Sequence, residues 1–231
     1  MSATSKTATS SGAPCWSCHA AANGDHFCPA CGKIQPLPRG ASYFVLFGLP
    51  EKLQMDAEAL EAQFHKLSWK LHPDNFMRAT EFERNLSLER SSELNDAYRT
   101  LRDPIVRVEY LLAQEGMRKE GATKQQAPPE LLEEVFELNE SLDELREARA
   151  SGGDLGELRS RLEVAQKNFQ EKLSEVDEEL ESTFGEWDHA IEKNADDAAR
   201  KAVMAKMNEV LNRRSYIRNL VANVQKELTE A

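Results

Sequence analysis

At 231 residues, 40% hydrophobic and 30% charged, the chain has room for two modest domains and leaves much charged helix surface in water. Its net charge of −11 argues against nucleic acid as the main partner, because such binding rests on neutralising phosphates. No apolar run approaches the ~20 residues of a membrane span, and acid is concentrated between Glu130 and Asp188, with nineteen Asp and Glu against six Lys and Arg.

Residues 1–14 are mostly Ser, Thr, Ala and Gly with one lysine, the composition of a flexible tail. They have neither the arginines of a transit peptide nor the apolar centre of a secretory signal. The expected location is the bacterial cytoplasm, with a processed form in the mitochondrial matrix as the alternative.

Residues 15–40 hold all four cysteines, as Cys15-x-x-Cys18 and Cys28-x-x-Cys31, followed by the linker Pro36 to Gly40. Each x-x spacing puts two sulfurs on one side of a tight turn, so two such knuckles suit one tetrahedral ion. The expected cofactor is one structural zinc per chain bound by Cys15, Cys18, Cys28 and Cys31. Iron and a pair of disulfides are the alternatives, the latter opposed by a reducing compartment. Four thiolates complete the site, so His19 and His26 are not expected as ligands. Trp16, Phe27 and Ile34 are the only apolar filling, too little for a core, and the metal must hold the segment together. With only Lys33 and Arg39 as nearby cations, docking to protein or forming a homodimer is favoured over binding nucleic acid.

Residues 41–118 read as a helical hairpin. Tyr43, Leu46, Phe47 and Leu49 form a short apolar segment that would pack across it. Leu60, Phe64, Leu67 and Leu71 recur at helical spacing, as do Phe82, Leu86, Leu94, Tyr98 and Leu101. Between the stripes stands His72-Pro73-Asp74, where proline ends the first helix and pushes His72 into an extended conformation. Two antiparallel helices would hold His72 and Asp74 at an exposed tip, a place for meeting a partner rather than building a core. Asp103-Pro104 reads as the cap and first residue of a further helix ending at Gly116.

Residues 119–129 form a polar linker rich in Gln and Pro, and 130–231 read as three long helices. Their seams are Leu131, Val135, Leu138, Leu142 and Leu145; then Leu155 to Leu180; then Val203 to Leu228. Breaks are expected at Gly152-Gly153, with Asp154 and Glu157 as a capping box, and near Gly185. Such breaks favour an antiparallel three-helix bundle over an intermolecular coiled coil. Leu132 and Phe136 lie ~100° off their seam, and Tyr216 is similarly displaced from Ile217. They are read either as the edge of a wide apolar face or as an exposed patch ringed by Glu133, Glu137 and Glu140. The fold class is thus all-α: a small tetracysteine zinc knuckle, a helical hairpin and a three-helix bundle. No nucleophile–base constellation or open metal position appears, so an enzyme is not expected.

The hairpin with its His-Pro-Asp turn resembles the J-domain. The resemblance implies that His72, Pro73 and Asp74 contact a DnaK-type chaperone and promote its ATP hydrolysis. It also implies that Lys66 and Lys70 form a basic surface for the same partner. Ser42-Tyr-Phe-Val-Leu-Phe-Gly-Leu-Pro50 and Leu101-Arg-Asp-Pro-Ile-Val-Arg-Val-Glu-Tyr-Leu-Leu112 narrow this to the HscB family of iron–sulfur cluster co-chaperones, over about residues 42 to 230. Some members carry an N-terminal cysteine knuckle. The family implies that Leu132, Phe136, Glu137, Glu140 and Tyr216 bind an IscU-type scaffold, which is then delivered to an HscA-type chaperone. The alternatives are a general J-domain co-chaperone with another client and a zinc-ribbon regulatory protein.

Overall fold

Short polar side chains open the helices that frame the turn. Ser42 caps α1 (Tyr43–Phe47) by accepting from the amide of Val45, and Asp56 caps α2 (Ala57–Leu71) by accepting from Glu58 and Ala59. Thr80 and Glu83 close a reciprocal capping box at the start of α3 (Glu81–Arg102). Asp103 accepts from the amides of Ile105 and Val106 to begin α4 (Pro104–Gln114). The structure is a computed structural model describing residues 14–22, 24–38, 40–118 and 128–230. The expected tail, up to residue 13, and the expected linker over 119–127 lie outside the described residues. Two compact units divide the chain after Arg107.

In the first unit α2 and α3 are antiparallel. Leu60, Leu67 and Leu71 bury against a face carrying Leu86, Leu94, Ala97 and Leu101. Phe64 stacks on Tyr98, ring centres 4.2 Å apart, and α1 adds the buried Phe44, Leu46 and Phe47. Each such side chain stabilises the fold by about 1.5–3 kcal/mol. Phe82, expected in this stripe, is 48% exposed and meets the ring of Trp16 instead.

In the second unit α5 (Leu132–Ser151), α6 (Gly156–Glu192) and α7 (Asp197–Glu230) form the expected bundle. A single turn of 3-10 helix, Pro129–Leu131, leads into α5. Leu131, Val135, Leu138, Leu142 and Leu145 are all buried, as the seam predicts. Cross-links set the register: Glu134–Lys172 and Glu144–Arg161 run α5 antiparallel to α6. Glu186–Lys206 and Gln166–Gln225 run α6 antiparallel to α7. Consequently α5 and α7 are parallel neighbours, joined by Glu130–Arg213 near one end and Arg146–Glu227 near the other.

Two expected boundaries are corrected. Gly185 does not break the chain, because α6 runs through it to Glu192. A glycine inside a helix costs only about 1 kcal/mol, and burial of Phe184, Trp187 and Ala190 outweighs that. The turn comes at Asn194, with a left-handed φ of 49°, and Asp196 caps α7 by accepting from the Ala199 amide. The Asp154–Glu157 capping box is also absent. Asp154 accepts from Gly156, Leu155 occupies the cap position, and Glu157 pairs one turn ahead with Arg161. Gly152 ends α5 as predicted, its φ of 71° aiming its amide at the carbonyls of Ala148 and Arg149.

Candidate functional site

The turn between α2 and α3 follows from what proline removes. Pro73 has no amide hydrogen, so the Trp69 carbonyl loses its helical partner. The Asn75 side-chain amide replaces it at 2.6 Å. The Leu71 carbonyl accepts two hydroxyls from α3, Ser87 at 2.6 Å and Ser91 at 2.9 Å. His72 adopts φ −58°, ψ 132°, and its Nδ1 accepts from the Asp74 amide at 3.3 Å, which leaves Nε2 as the ring's donor. The side chains of His72 and Asp74 stay exposed, with Nδ1 3.5 Å from a carboxylate oxygen. A hydrogen-bonded backbone carrying two exposed polar side chains, paired with each other, is thus offered to solvent. Lys66 and Lys70 are exposed on α2, and Trp69 and Met77 flank the turn at 79% and 71% exposure.

The cysteine segment is built as two near-repeats. In the first, His19 donates its amide to the Cys15 carbonyl and Cys15 donates to Ala20; in the second, Gly32 donates to Cys28 and Cys28 donates to Lys33. The residue after each second cysteine has left-handed φ, 60° at His19 and 70° at Gly32. Isolated bridges Pro14–Ala21 and Phe27–Ile34 close the two hairpins. All four sulfurs lie within 4.8 Å of one another, with Cys15–Cys31 at 3.6 Å and Cys18–Cys28 at 3.7 Å. A tetrahedral ion with bonds of about 2.3 Å to sulfur requires separations of about 3.8 Å. None of the four is in a disulfide.

The crowding of the four sulfurs pulls the thiols apart in acidity. At Cys15 burial pushes upward, but the amides of Cys18 and Ser17 and the Cys31 thiol prevail and bring it to about 6. At Cys31 the Lys33 amide pulls down, while lost hydration and the Cys18, Cys15 and Cys28 sulfurs push it up to about 12. For all four sulfurs to be thiolates at once, a positive charge must sit among them. Neither histidine joins them: His19 serves the turn, and His26 bonds elsewhere.

On α5, Leu132 and Phe136 are 55% and 65% exposed, and Glu137 and Glu140 are exposed beside them. Tyr216 is half-buried on α7, one turn beyond Arg213, which reaches Glu130 two residues before Leu132. The register thus brings the tyrosine level with the start of α5. A groove of about 800 Å³ runs between α5 and α6, lined by Glu137, Leu138, Val164, Phe169 and Lys172 among others; Leu132, Phe136 and Tyr216 do not line it.

Several residues at these sites have no signature in the sequence. Asn75, Ser87 and Ser91 read as ordinary helix and turn residues, although two serines one helical turn apart, facing the end of α2, were the available sign. Arg90, 2% exposed, donates to His26 Nδ1 at 2.5 Å. Because arginine only donates, His26 must carry its proton on Nε2, which donates to the Leu46 carbonyl at 2.8 Å. Burial and the Arg90 charge lower the pKa of His26, favouring this neutral form.

No protein-family model matches the chain. A co-chaperone protein HscB homolog of Vibrio parahaemolyticus is 34% identical over 152 residues, covering 66% of this chain and 86% of the relative. A homolog of the same name from Vibrio atlanticus is 36% identical over 141 residues, covering 61% and 81%. The crystal structure of human co-chaperone protein HscB shares the fold, with a TM-score of 0.60 at 23% identity over 93% of this chain and 98% of that one. With one residue in three identical across most of its Vibrio relatives, this chain belongs to the HscB family of co-chaperones.

Proposed function

We propose that this protein delivers an IscU-type iron–sulfur scaffold to an HscA/DnaK-type chaperone and stimulates that chaperone's ATPase. The observation carrying this reading is the His72-Pro73-Asp74 turn, whose backbone is satisfied by Asn75, Ser87 and Ser91 while both polar side chains remain exposed. In this reading the turn touches the chaperone and the protein has no active site of its own. Lys66 and Lys70 aid encounter with an acidic surface. The scaffold is held by Leu132, Phe136, Glu137, Glu140 and Tyr216, where exposed apolar side chains inside an acidic rim resemble an interface anchor. Zinc is the ion proposed for Cys15, Cys18, Cys28 and Cys31, one per chain, in a structural role, since four protein ligands leave no open position. The knuckle is proposed to dock another protein or a second copy of the chain, and three of its side chains, Trp16, His26 and Lys33, already contact the hairpin of the same chain. Among the described residues no helix is long and apolar enough to cross a membrane, and the bacterial cytoplasm is the proposed setting.

The test uses His72→Gln and Asp74→Asn. Each should abolish stimulation of the chaperone ATPase while leaving helix content and scaffold binding at wild-type levels. Full stimulation by both variants would overturn the assignment of the turn. Binding that fails to discriminate IscU from unfolded peptides would favour a general co-chaperone with another client.

A further inference from the structure

Three side chains of the cysteine segment grip the hairpin. Lys33 Nζ reaches both carboxylate oxygens of Glu83, at 2.8 and 2.9 Å. The edge of Trp16 meets Phe82 with ring centres 4.7 Å apart and planes at 73°, while its Nε1 is fixed on the Ile34 carbonyl at 2.7 Å. His26 bridges the Leu46 carbonyl of α1 and the Arg90 guanidinium of α3. The gripping residues belong to the knuckles themselves. Trp16 lies between the first two cysteines, and the Lys33 carbonyl accepts the Cys28 amide.

What they hold is the anchor of the turn. Glu83 is the capping-box residue of α3, and one of its oxygens also accepts from the Thr80 amide at 3.3 Å and hydroxyl at 3.0 Å. The segment carrying His72 and Asp74 is short. It runs from Leu71 through bonds Asn75–His72, Met77–Asp74 and Ala79–Phe76 into Thr80. Its upstream end is fixed by Ser87 and Ser91, and its downstream end by the first turn of α3, where Arg84 also donates to the Ala79 carbonyl. Lys33 therefore adds a second tie to the one carboxylate that fixes where α3 starts.

We infer that the cysteine knuckle positions the His-Pro-Asp turn, with Lys33 and Trp16 as positioning residues that act through Glu83 and Phe82. This rests on the proposed role of the turn but uses different residues. The knuckle's own core is only Cys15, Ala22 and Cys28 with Ala20 against them, and two of these are ligands, so Lys33 and Trp16 are presented correctly only while the four cysteines are held together. Ordering of the turn thus depends on the occupancy of a site formed by residues remote in the sequence. Loss of that order should weaken binding to the chaperone, because a looser turn must be ordered on contact. It should not change what the turn does once bound.

The experiment uses the full chain with Lys33→Met, Lys33→Arg and Trp16→Ala, and the wild type with and without a zinc chelator. Amide exchange over residues 75–84 is read beside the dependence of chaperone ATPase on the concentration of this protein. Lys33→Met, Trp16→Ala and chelation should each speed exchange over 75–84 by about three- to ten-fold. Each should raise the half-maximal concentration by a similar factor with the plateau unchanged. Lys33→Arg should restore both, and exchange in α6 and α7 should stay at wild type. Chelation should add little to Trp16→Ala. Wild-type exchange over 75–84 in Lys33→Met and in chelated protein would overturn the inference, as would uniformly faster exchange across the first unit. Failure of the turn's own role would show separately, as full stimulation by His72→Gln, whatever the exchange result.

Discussion

The hydroxyl of Ser87, fully buried on α3, donates to the Leu71 carbonyl at 2.6 Å, one residue before the turn begins. This bond joins the two helices of the hairpin beside the turn that connects them. It supplies a partner to a carbonyl that the broken helix cannot satisfy for itself. Ser91 shares the same acceptor.

Replacing Ser87 by Ala should cost about 1 kcal/mol in urea unfolding, because Ser91 still satisfies the carbonyl. Replacing both serines should cost more than the sum of the two single changes. The pair acts on one buried acceptor, and only the double variant leaves it empty.

Leu132, Phe136 and Tyr216 should separate binding from folding. Changing all three to Ala should lower scaffold affinity by about thirty-fold or more, the effect of losing at least one interface anchor of about 2 kcal/mol. Thermal unfolding should move little, since two of the three are exposed. Leu142→Ala, by contrast, removes a fully buried side chain and should cost about 2–5 kcal/mol. Titrating IscU against both variants and melting each completes the comparison. A large loss of melting temperature in the triple variant would place the patch inside the bundle.

The bundle should lose stability in acid through Glu227. Arg146, then Arg149, hold its carboxyl below the usual carboxylate range against the opposing effect of burial. A pKa lowered by folding gives stability that is present above the unfolded value, about 4.3, and lost as pH falls through the folded one. Glu227→Gln should therefore be less stable than wild type at pH 7. The gap should narrow steadily below about pH 4.5. Urea unfolding followed at several pH values reads this directly.

Native mass spectrometry should find one zinc per chain, absent after Cys28→Ser. The separations of 3.6 and 3.7 Å between opposed sulfurs already match a tetrahedral set. Protein that retained its metal without Cys28 would require a different ligand set.

Much of the fold was legible because its signals are local. Asp103 announces its helix within three residues, and the seam from Leu131 to Leu145 is buried throughout. Gly185 misled because a glycine weakens a helix only slightly, and neighbours such as Trp187 decide the outcome by burial. Phe82 had the right spacing for the hairpin seam, yet it lies at the helix start, where the cysteine segment arrives. The Lys33–Glu83 and His26–Arg90 contacts span 50 and 64 residues. No periodicity or motif reports a pairing at that distance. The sulfur cluster was legible for the opposite reason, since each half closes within a few residues.

That closure has a consequence for the order of events on the ribosome. Both hairpins of the cysteine segment are bonded by residue 35, through contacts that need nothing further along the chain. The residues they later meet, Leu46, Phe82, Glu83 and Arg90, are made afterwards, and domains generally fold in the order of synthesis. When residue 35 has been made, the cysteine segment has all the backbone bonds of its two hairpins, and with a metal ion on its four sulfurs it needs no later residue to close. The metal-closed segment is thus expected to act as a template, with Trp16 and Lys33 set to receive Phe82 and Glu83 at the start of α3.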